Sequence, residues 1–343
     1  MFEREFKDNF EQLGGNLLKW LDHTVCEPLM DDAMTLSYRN NPFFTPYMQQ
    51  HAVRTIVQTF LQRVELEWWL GNYPVIKQRN YTNWVGIIMA GNIPLVGFHD
   101  FLCVMACRSC AVIKLSSKDR FLLPAVFELL CRINPVWRNR VRFVPDMKEA
   151  AALYPDNFKG LISTGSDTTK QSVSREYVGI PMLLRGRRFS FAILSGYETE
   201  QQLQALAMDA FLYYGLGCRN VSYLLVPCGY DFTKLLKNFA QVRTLVADEC
   251  YMNIYKRGKA VLLMEEERFI DGGFFLIRQT TNVHSFIGEL GYMEYGSESD
   301  ILAFESENWG KIQKKYRTFG LAQAPKIDEY ADGTDVMDFI LYL

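Results

Sequence analysis

Trp84-Val85-Gly86-Ile87-Ile88-Met89-Ala90 is a short, continuous apolar run of the kind that fills a strand buried on both faces. Pro94 to Cys107 then carries a helical pattern, and Ala111-Val112-Ile113-Lys114 is a second buried strand. Strand, crossover helix and strand within about thirty residues make a βαβ unit, so this stretch decides for a parallel sheet. Downstream, Leu122 to Ile133 reads as a helix, and Val141-Arg142-Phe143-Val144 and Gly160-Leu161-Ile162-Ser163 as further strands. Upstream the chain reads as helices. Phe10, Leu13, Leu17, Leu18 and Leu21 recur at helical spacing despite Gly14-Gly15. His51 to Leu70 places Val53, Ile56, Val57, Phe60, Leu61 and Val64 on one face, before Gly71-Asn72-Tyr73-Pro74 breaks the pattern.

A second α/β block follows. Phe189 to Leu194 is strand-like, and Thr199 with Gln202 three residues on forms a capping box. The helix it opens would bury Leu203, Leu206, Ala207, Ala210, Phe211 and Tyr214, with Gly215 as its stop. Val221 to Val226, Ala260 to Met264 and Phe274 to Arg278 read as strands. With neither repeat nor low-complexity linker, the domain boundary is placed near Arg185-Gly186.

Bulk properties narrow the class. At 343 residues the chain has room for two domains, and 49% hydrophobic with 22% charged residues describes a folded, enzyme-sized protein. A net charge of −2 supplies no general basic field for nucleic acid. No apolar run is long enough to span a bilayer, and Met1-Phe2-Glu3-Arg4-Glu5-Phe6 is too charged for a signal peptide. Eight cysteines without a secretion signal point to reduced thiols and a cytoplasmic setting.

The chemistry centres on Cys218, in Tyr214-Gly215-Leu216-Gly217-Cys218-Arg219-Asn220 at the start of an apolar strand. Flanking glycines bring the thiol out of a helix end into an open corner, where it can act as a nucleophile. Three other segments each follow a strand, at the sheet edge where open α/β folds place ligands. They are Gly91-Asn92-Ile93-Pro94, Ile113-Lys114-Leu115-Ser116-Ser117-Lys118 and Ser163-Thr164-Gly165-Ser166.

This ordered set resembles the aldehyde dehydrogenase superfamily, and Gly91-Asn92-Ile93-Pro94 with Cys218-Arg219-Asn220 is similar to the LuxC-type acyl-CoA reductases. The tail, Phe319 to Pro325 and Asp328 to Gly333, is similar too, so the resemblance covers roughly residues 84 to 335. It implies an aldehyde-dehydrogenase-like α/β fold. A Rossmann-type cofactor domain would span 1–185 and an α/β catalytic domain 186–325, with the tail 326–343 crossing to another subunit of a homo-oligomer. It further implies that Cys218 is the nucleophile and that the Asn92 amide, with the Cys218 backbone N–H, holds the oxyanion. Lys114, Ser116, Ser117 and Lys118 would grip the cofactor ribose, and Gly165 and Ser166 the pyrophosphate at a helix start. Ser117, where NAD-preferring relatives often place a carboxylate, tilts the expected cofactor to NADPH over NADH.

One departure is informative. Hydrolytic relatives carry a Glu-Leu-Gly-Gly-Lys segment whose glutamate activates water. Here the corresponding stretch is Leu184-Arg185-Gly186-Arg187-Arg188, with leucine at the glutamate position. Leucine cannot take a proton from water, whereas thioester exchange with CoA needs no such base. The expected reaction is therefore reduction of an acyl-CoA or other acyl thioester, fatty acyl by family analogy, to the aldehyde.

Other readings stand beside this one. Cys103, Cys107 and Cys110 have the C-x3-C-x2-C spacing of the radical SAM iron–sulfur triad, yet the same positions share one face of an apolar helix. His99 and Asp100 could relay protons or be structural, and Arg185, Arg187 and Arg188 could meet phosphates or form a solvated cluster. A non-catalytic family member serving as an assembly subunit would also lack the glutamate.

Overall fold

The computed structural model describes residues 2–78, 83–148 and 157–343. The chain forms two compact units, Met1–Gly186 together with Lys326–Leu343, and Arg187–Pro325.

The first unit is built on five parallel strands, β1 (Trp84–Ile88), β2 (Cys110–Lys114), β3 (Val141–Phe143), β4 (Phe158–Thr164) and β5 (Met182–Arg185). Their order is β3-β2-β1-β4-β5, so successive connections run outward from β1 on one side and then reverse to β4 on the other. Such a reversal leaves a crevice at the carboxyl ends of β1 and β4, the usual ligand position in an open α/β sheet. Register makes those ends level, with Ile88 opposite both Lys114 and Ser163.

The N-terminal helices cover this sheet. Phe2–Leu21 runs through Gly14-Gly15 without a break, because Phe6, Phe10, Leu13 and Leu17 are fully buried against the helices Pro46–Phe60 and Leu122–Ile133. The rings of Phe6 and Phe10 lie 4.4 Å apart, and Trp137 meets Phe10 edge-on while its Nε1 donates to Asn9 Oδ1 (2.9 Å). The tail joins the same core, since Ile327, Val336, Met337 and Ile340 are all fully buried there.

The second unit holds six strands, β6 (Phe189–Ile193), β7 (Val221–Pro227), β8 (Ile270–Asp271), β9 (Leu276–Gln279), β10 (Glu289–Tyr295) and β11 (Ile312–Tyr316), ordered β11-β6-β7-β10-β9-β8. All pairs are parallel except β8–β9. The capping box forms: Thr199 Oγ1 accepts from Gln202 N–H, Gln202 Oε1 accepts from Thr199 N–H, and the helix runs Glu200–Phe211.

Several local expectations fail for identifiable reasons. The helix after Thr199 stops at Phe211, short of Tyr214 and Gly215, because Tyr213 and Tyr214 are left-handed. Ala260 to Met264 is the end of the helix Glu249–Met264 rather than a strand. Asp248 caps that helix by accepting from the N–H groups of Cys250 and Tyr251, and a five-residue apolar run cannot by itself tell strand from helix. His51 to Leu70 divides into Pro46–Phe60 and Arg63–Gly71, because the Gln62 side chain caps the Val57 carbonyl (2.8 Å), and Val64 ends up exposed. The helix expected from Pro94 begins only at Phe98. Leu95 sits at φ 56°, a left-handed conformation that costs a leucine about 1–2 kcal/mol and cannot belong to a right-handed helix.

Candidate active site

The candidate residues fall in both units. In the second, Cys218 lies in a turn at the amino end of β7 and is half-buried. Neighbouring groups hold that turn by its backbone. Asn220, 1% exposed, accepts from Gly217 N–H (2.8 Å) through Oδ1. Its Nδ2 donates to the carbonyls of Asp209 (2.8 Å) and Leu212 (2.8 Å), satisfying the end of the helix Glu200–Phe211. Ser190 Oγ donates to the Cys218 carbonyl (2.8 Å) and Tyr316 Oη to that of Arg219 (3.3 Å).

The approach to this turn is strained. Tyr213, Tyr214 and Gly215 are successively left-handed, at φ 57°, 57° and 73°. Glycine adopts this freely, but each tyrosine costs about 1–2 kcal/mol, held in place by burial and by stacking of Tyr214 on Tyr251 at 5.3 Å. This reversal swings the chain off the helix and delivers Cys218 to the start of β7. Asp209, 2% exposed, adds a further tie by accepting from the N–H groups of Gly320 (2.6 Å) and Ala322 (3.0 Å). Burial raises its carboxyl above the usual carboxylate range, and those two donors partly offset the shift. A cavity of about 260 Å³, lined by Leu194, Glu198, Tyr295 and Arg317 among others, lies at the carboxyl ends of β6, β10 and β11, the opposite strand ends from Cys218.

In the first unit the other expected residues gather at the carboxyl edge of the sheet. Asn92 is half-buried in the loop after β1, Lys114 ends β2, and Ser116, Ser117 and Lys118 follow it. A Cβ on Gly91 would run into the Ser116 side chain, so these two loops touch and only glycine fits there. Gly165 and Ser166 follow β4, and Ser166 Oγ caps the helix Asp167–Glu176 by accepting from Thr169 N–H (3.1 Å).

These residues fit a dinucleotide. The sheet reversal places a helix start and a segment with two lysines along one crevice, and Ser117 and Lys118 are both exposed there. No carboxylate stands at position 117, and the backbone at Gly165 passes so near the helix that a Cβ there would touch Thr169.

Several sequence alternatives resolve differently. Arg185 is not part of a solvated surface cluster: it is 4% exposed, and its Nη1 donates to both Asp100 carboxylate oxygens (2.9 and 2.8 Å) and to Thr164 Oγ1 (3.3 Å). His99 is structural, its Nε2 donating to the Ile327 carbonyl (2.7 Å) between the rings of Phe60 and Tyr330. The three cysteines do not share one helix face: Cys103 lies in the helix Phe98–Ala106, Cys107 just past its end, and Cys110 opens β2, with Cys103 and Cys107 fully buried and Cys110 5% exposed. Burial pushes the Cys103 thiol well up and raises that of Cys110, which disfavours the thiolates a cluster requires. Among the described residues no group of three or more His, Cys, Asp or Glu side chains could hold a metal ion. No helix among them is long and apolar enough to cross a membrane.

Leu184 lies on β5, level with Ser163 of β4. Sequence reasoning did not identify Asn220 as the clamp of the cysteine turn. Its one signal was a polar residue at the entry to an otherwise apolar strand.

Comparison with known proteins agrees with this architecture. The family model described as acyl-CoA reductase (LuxC) matches residues 29–236, more than half the chain, starting among the N-terminal helices and stopping short of the tail. Among solved structures, aldehyde dehydrogenase 21 from Physcomitrella patens, in complex with its reaction product succinate, matches at a TM-score of 0.68 and 12% identity, covering 98% of this chain and 84% of that one. An NAD-dependent aldehyde dehydrogenase from Sinorhizobium meliloti gives 0.64 at 12% identity, over 94% and 72% of the two chains. The Mycobacterium tuberculosis aldehyde dehydrogenase complexed with NAD+ gives 0.61 at 14%, over 89% and 71%. At such identities the likeness is one of fold. No curated protein sequence matches the chain.

Proposed function

Because this chain belongs to the LuxC family of acyl-CoA reductases, oxidoreductases acting on acyl and aldehyde groups, we propose that it reduces an acyl-CoA, or another acyl thioester, to the aldehyde through a covalent intermediate on Cys218. The observation that carries this reading is the Cys218 turn: a half-buried thiol on a backbone pinned by Asn220, Ser190 and Tyr316, at the end of a strained left-handed reversal. Strain of that kind persists only where the surroundings enforce it, and it collects at functional positions.

In the proposed reaction the Cys218 thiolate adds to the thioester carbonyl. The Asn92 amide and the Cys218 N–H receive the developing oxyanion, and collapse of the adduct expels the CoA thiolate. NADPH, when bound, supplies a hydride to the acyl-enzyme carbonyl. Asn92 again holds the charge, and the second adduct releases aldehyde and returns the thiolate of Cys218. Leucine at position 184 supports this course over oxidation of aldehydes to acids, since it offers no base to activate water. The first unit's crevice supports the cofactor assignment: Lys114 and Lys118 can pair with a 2′-phosphate, Ser117 does not repel it, and the helix start at Ser166 suits a pyrophosphate. A fatty acyl group is the proposed substrate, and a cytoplasmic homo-oligomer its proposed setting.

The test follows loss of reduced-nicotinamide absorbance with acyl-CoAs of increasing chain length. Thioester-dependent oxidation of NADPH that disappears in Cys218→Ser supports the reading, and full turnover by that variant refutes it. A protein that binds nucleotide yet oxidises it with no thioester would instead fit an assembly subunit.

A further inference from the structure

Asp119 is the one acidic side chain in the loops after β1 and β2, and it is buried to 7% exposure. Its Oδ2 accepts from the backbone N–H of Leu95 at 2.8 Å, across from one loop to the other. Leu95 is the left-handed residue that delays the helix after β1, so the bond fixes an otherwise unfavourable turn three residues past Asn92. A tight turn delivers the carboxyl: Asp119 N–H donates to the Ser116 carbonyl (3.1 Å), and Ser116 pairs with Asp119 as an isolated antiparallel bridge. Asn40 Nδ2 braces that turn from outside by donating to the Ser117 carbonyl (2.8 Å). The second carboxyl oxygen, Oδ1, is buried with no hydrogen-bond partner.

We propose that Asp119 is a positioning residue, a buried carboxyl that locks the loop bearing Asn92 to the loop bearing Ser116 and Ser117 and so sets where the Asn92 amide points. The role rests on the oxyanion function proposed for Asn92. It also explains why an acidic residue stands in a segment otherwise suited to anions: its carboxyl is turned inward, onto a backbone N–H.

Protonation of the group bears on this lock. Burial raises the carboxyl to about 7, and the Leu95 N–H pulls it back only in part. The charged residues of its own segment are Lys114, half-buried at the end of β2, and the exposed Lys118 and Arg120. The helix Pro28–Asn40 and the residue after it present Asn40 and Asn41, and the loop 91–97 carries no ionisable side chain. A folded value above the unfolded one means that the neutral acid favours the closed loop. The lock is fully present below about 4 and weakens as pH rises through about 7.

The test uses the full chain, without cofactor, in amide hydrogen exchange. Asp119→Ala should speed exchange of the peptide spanning Leu95, by about tenfold or more, while Asp119→Asn, which keeps an oxygen for Leu95, should restore protection. In the wild type, protection corrected for intrinsic exchange should fall between about pH 4 and 7 and level off above that, and in Asp119→Asn it should not. Steady-state kinetics form the second arm: Asp119→Ala should lower kcat on the order of 10²-fold, and Asp119→Asn should recover most of it. Equal exchange at Leu95 in Asp119→Ala and wild type overturns the proposal. Absence of thioester reduction in the wild type would count against the reductase reading, while the exchange arm still decides whether Asp119 is the lock.

Discussion

The proposed function of this chain turns on a few side chains whose roles differ from what their types advertise. Cys218 stood out in the sequence because Gly215 and Gly217 lead into it, but the clamp role of Asn220 did not, since an asparagine entering a strand looks like a turn residue. Its four polar contacts arise only when the helix end and the cysteine turn are brought together. Asn220→Ala leaves buried carbonyls and an N–H unpaired, each costing about 1–3 kcal/mol, so a fall in melting temperature with a loss of turnover greater than the loss of folded protein is expected. Thermal denaturation and kcat measured on one preparation check it. Ser117 carries the cofactor prediction. Ser117→Glu places a carboxylate in the ribose segment and should raise KM for NADPH on the order of tenfold or more relative to NADH. An unchanged ratio of the two would remove Ser117 from the cofactor assignment.

Among the elements, the buried strands were the most legible: the apolar runs at Trp84, Ala111 and Phe189 became β1, β2 and β6 because runs flanked by turns and crossover helices have few other homes. Less legible were the places where a side chain far away in sequence decides a local conformation. Leu95 turns left-handed under Asp119, 24 residues on, and no local propensity of Asn-Ile-Pro-Leu announces it. The reversal at Tyr213 and Tyr214 is similar, since two tyrosines in that conformation are disfavoured until burial and the Asn220 clamp enforce them. Arg185 shows the same effect through charge. Read as one of three arginines that meet phosphates or form a solvated cluster, it is the buried partner of Asp100, which joins the end of β5 to the helix after β1. Asp100→Ala strands a buried guanidinium, and a loss of about 3–5 kcal/mol is expected in denaturant unfolding of the first unit. A change below about 1 kcal/mol would mean that water reaches the guanidinium.

For the molecule as a whole, the division at residue 186 and the return of the tail to the first unit are the main architectural facts. A hydrogen-bond chain ties that tail down: Trp69 Nε1 donates to Tyr330 Oη (2.8 Å), Tyr330 pairs with Tyr73 (2.7 Å), and Tyr73 Oη donates to Asp335 (2.6 Å). Four fully buried apolar side chains accompany it, each contributing about 1.5–3 kcal/mol. Removing residues 326–343 therefore takes away an amount comparable with the whole stability of a domain, and the truncated chain should lose nucleotide binding and cooperative unfolding of the first unit. Retention of both would show the tail to be dispensable. Sequence similarity could flag this segment but could not say where it packs, because its contacts lie more than two hundred residues away. The central claim, that an acyl group passes through Cys218, is tested most directly by intact-protein mass after mixing with an acyl-CoA and no reduced cofactor. The account predicts a mass gain of one acyl group on the Cys218 peptide, absent from Cys218→Ser. An unmodified protein, or an adduct that persists in the variant, would contradict it.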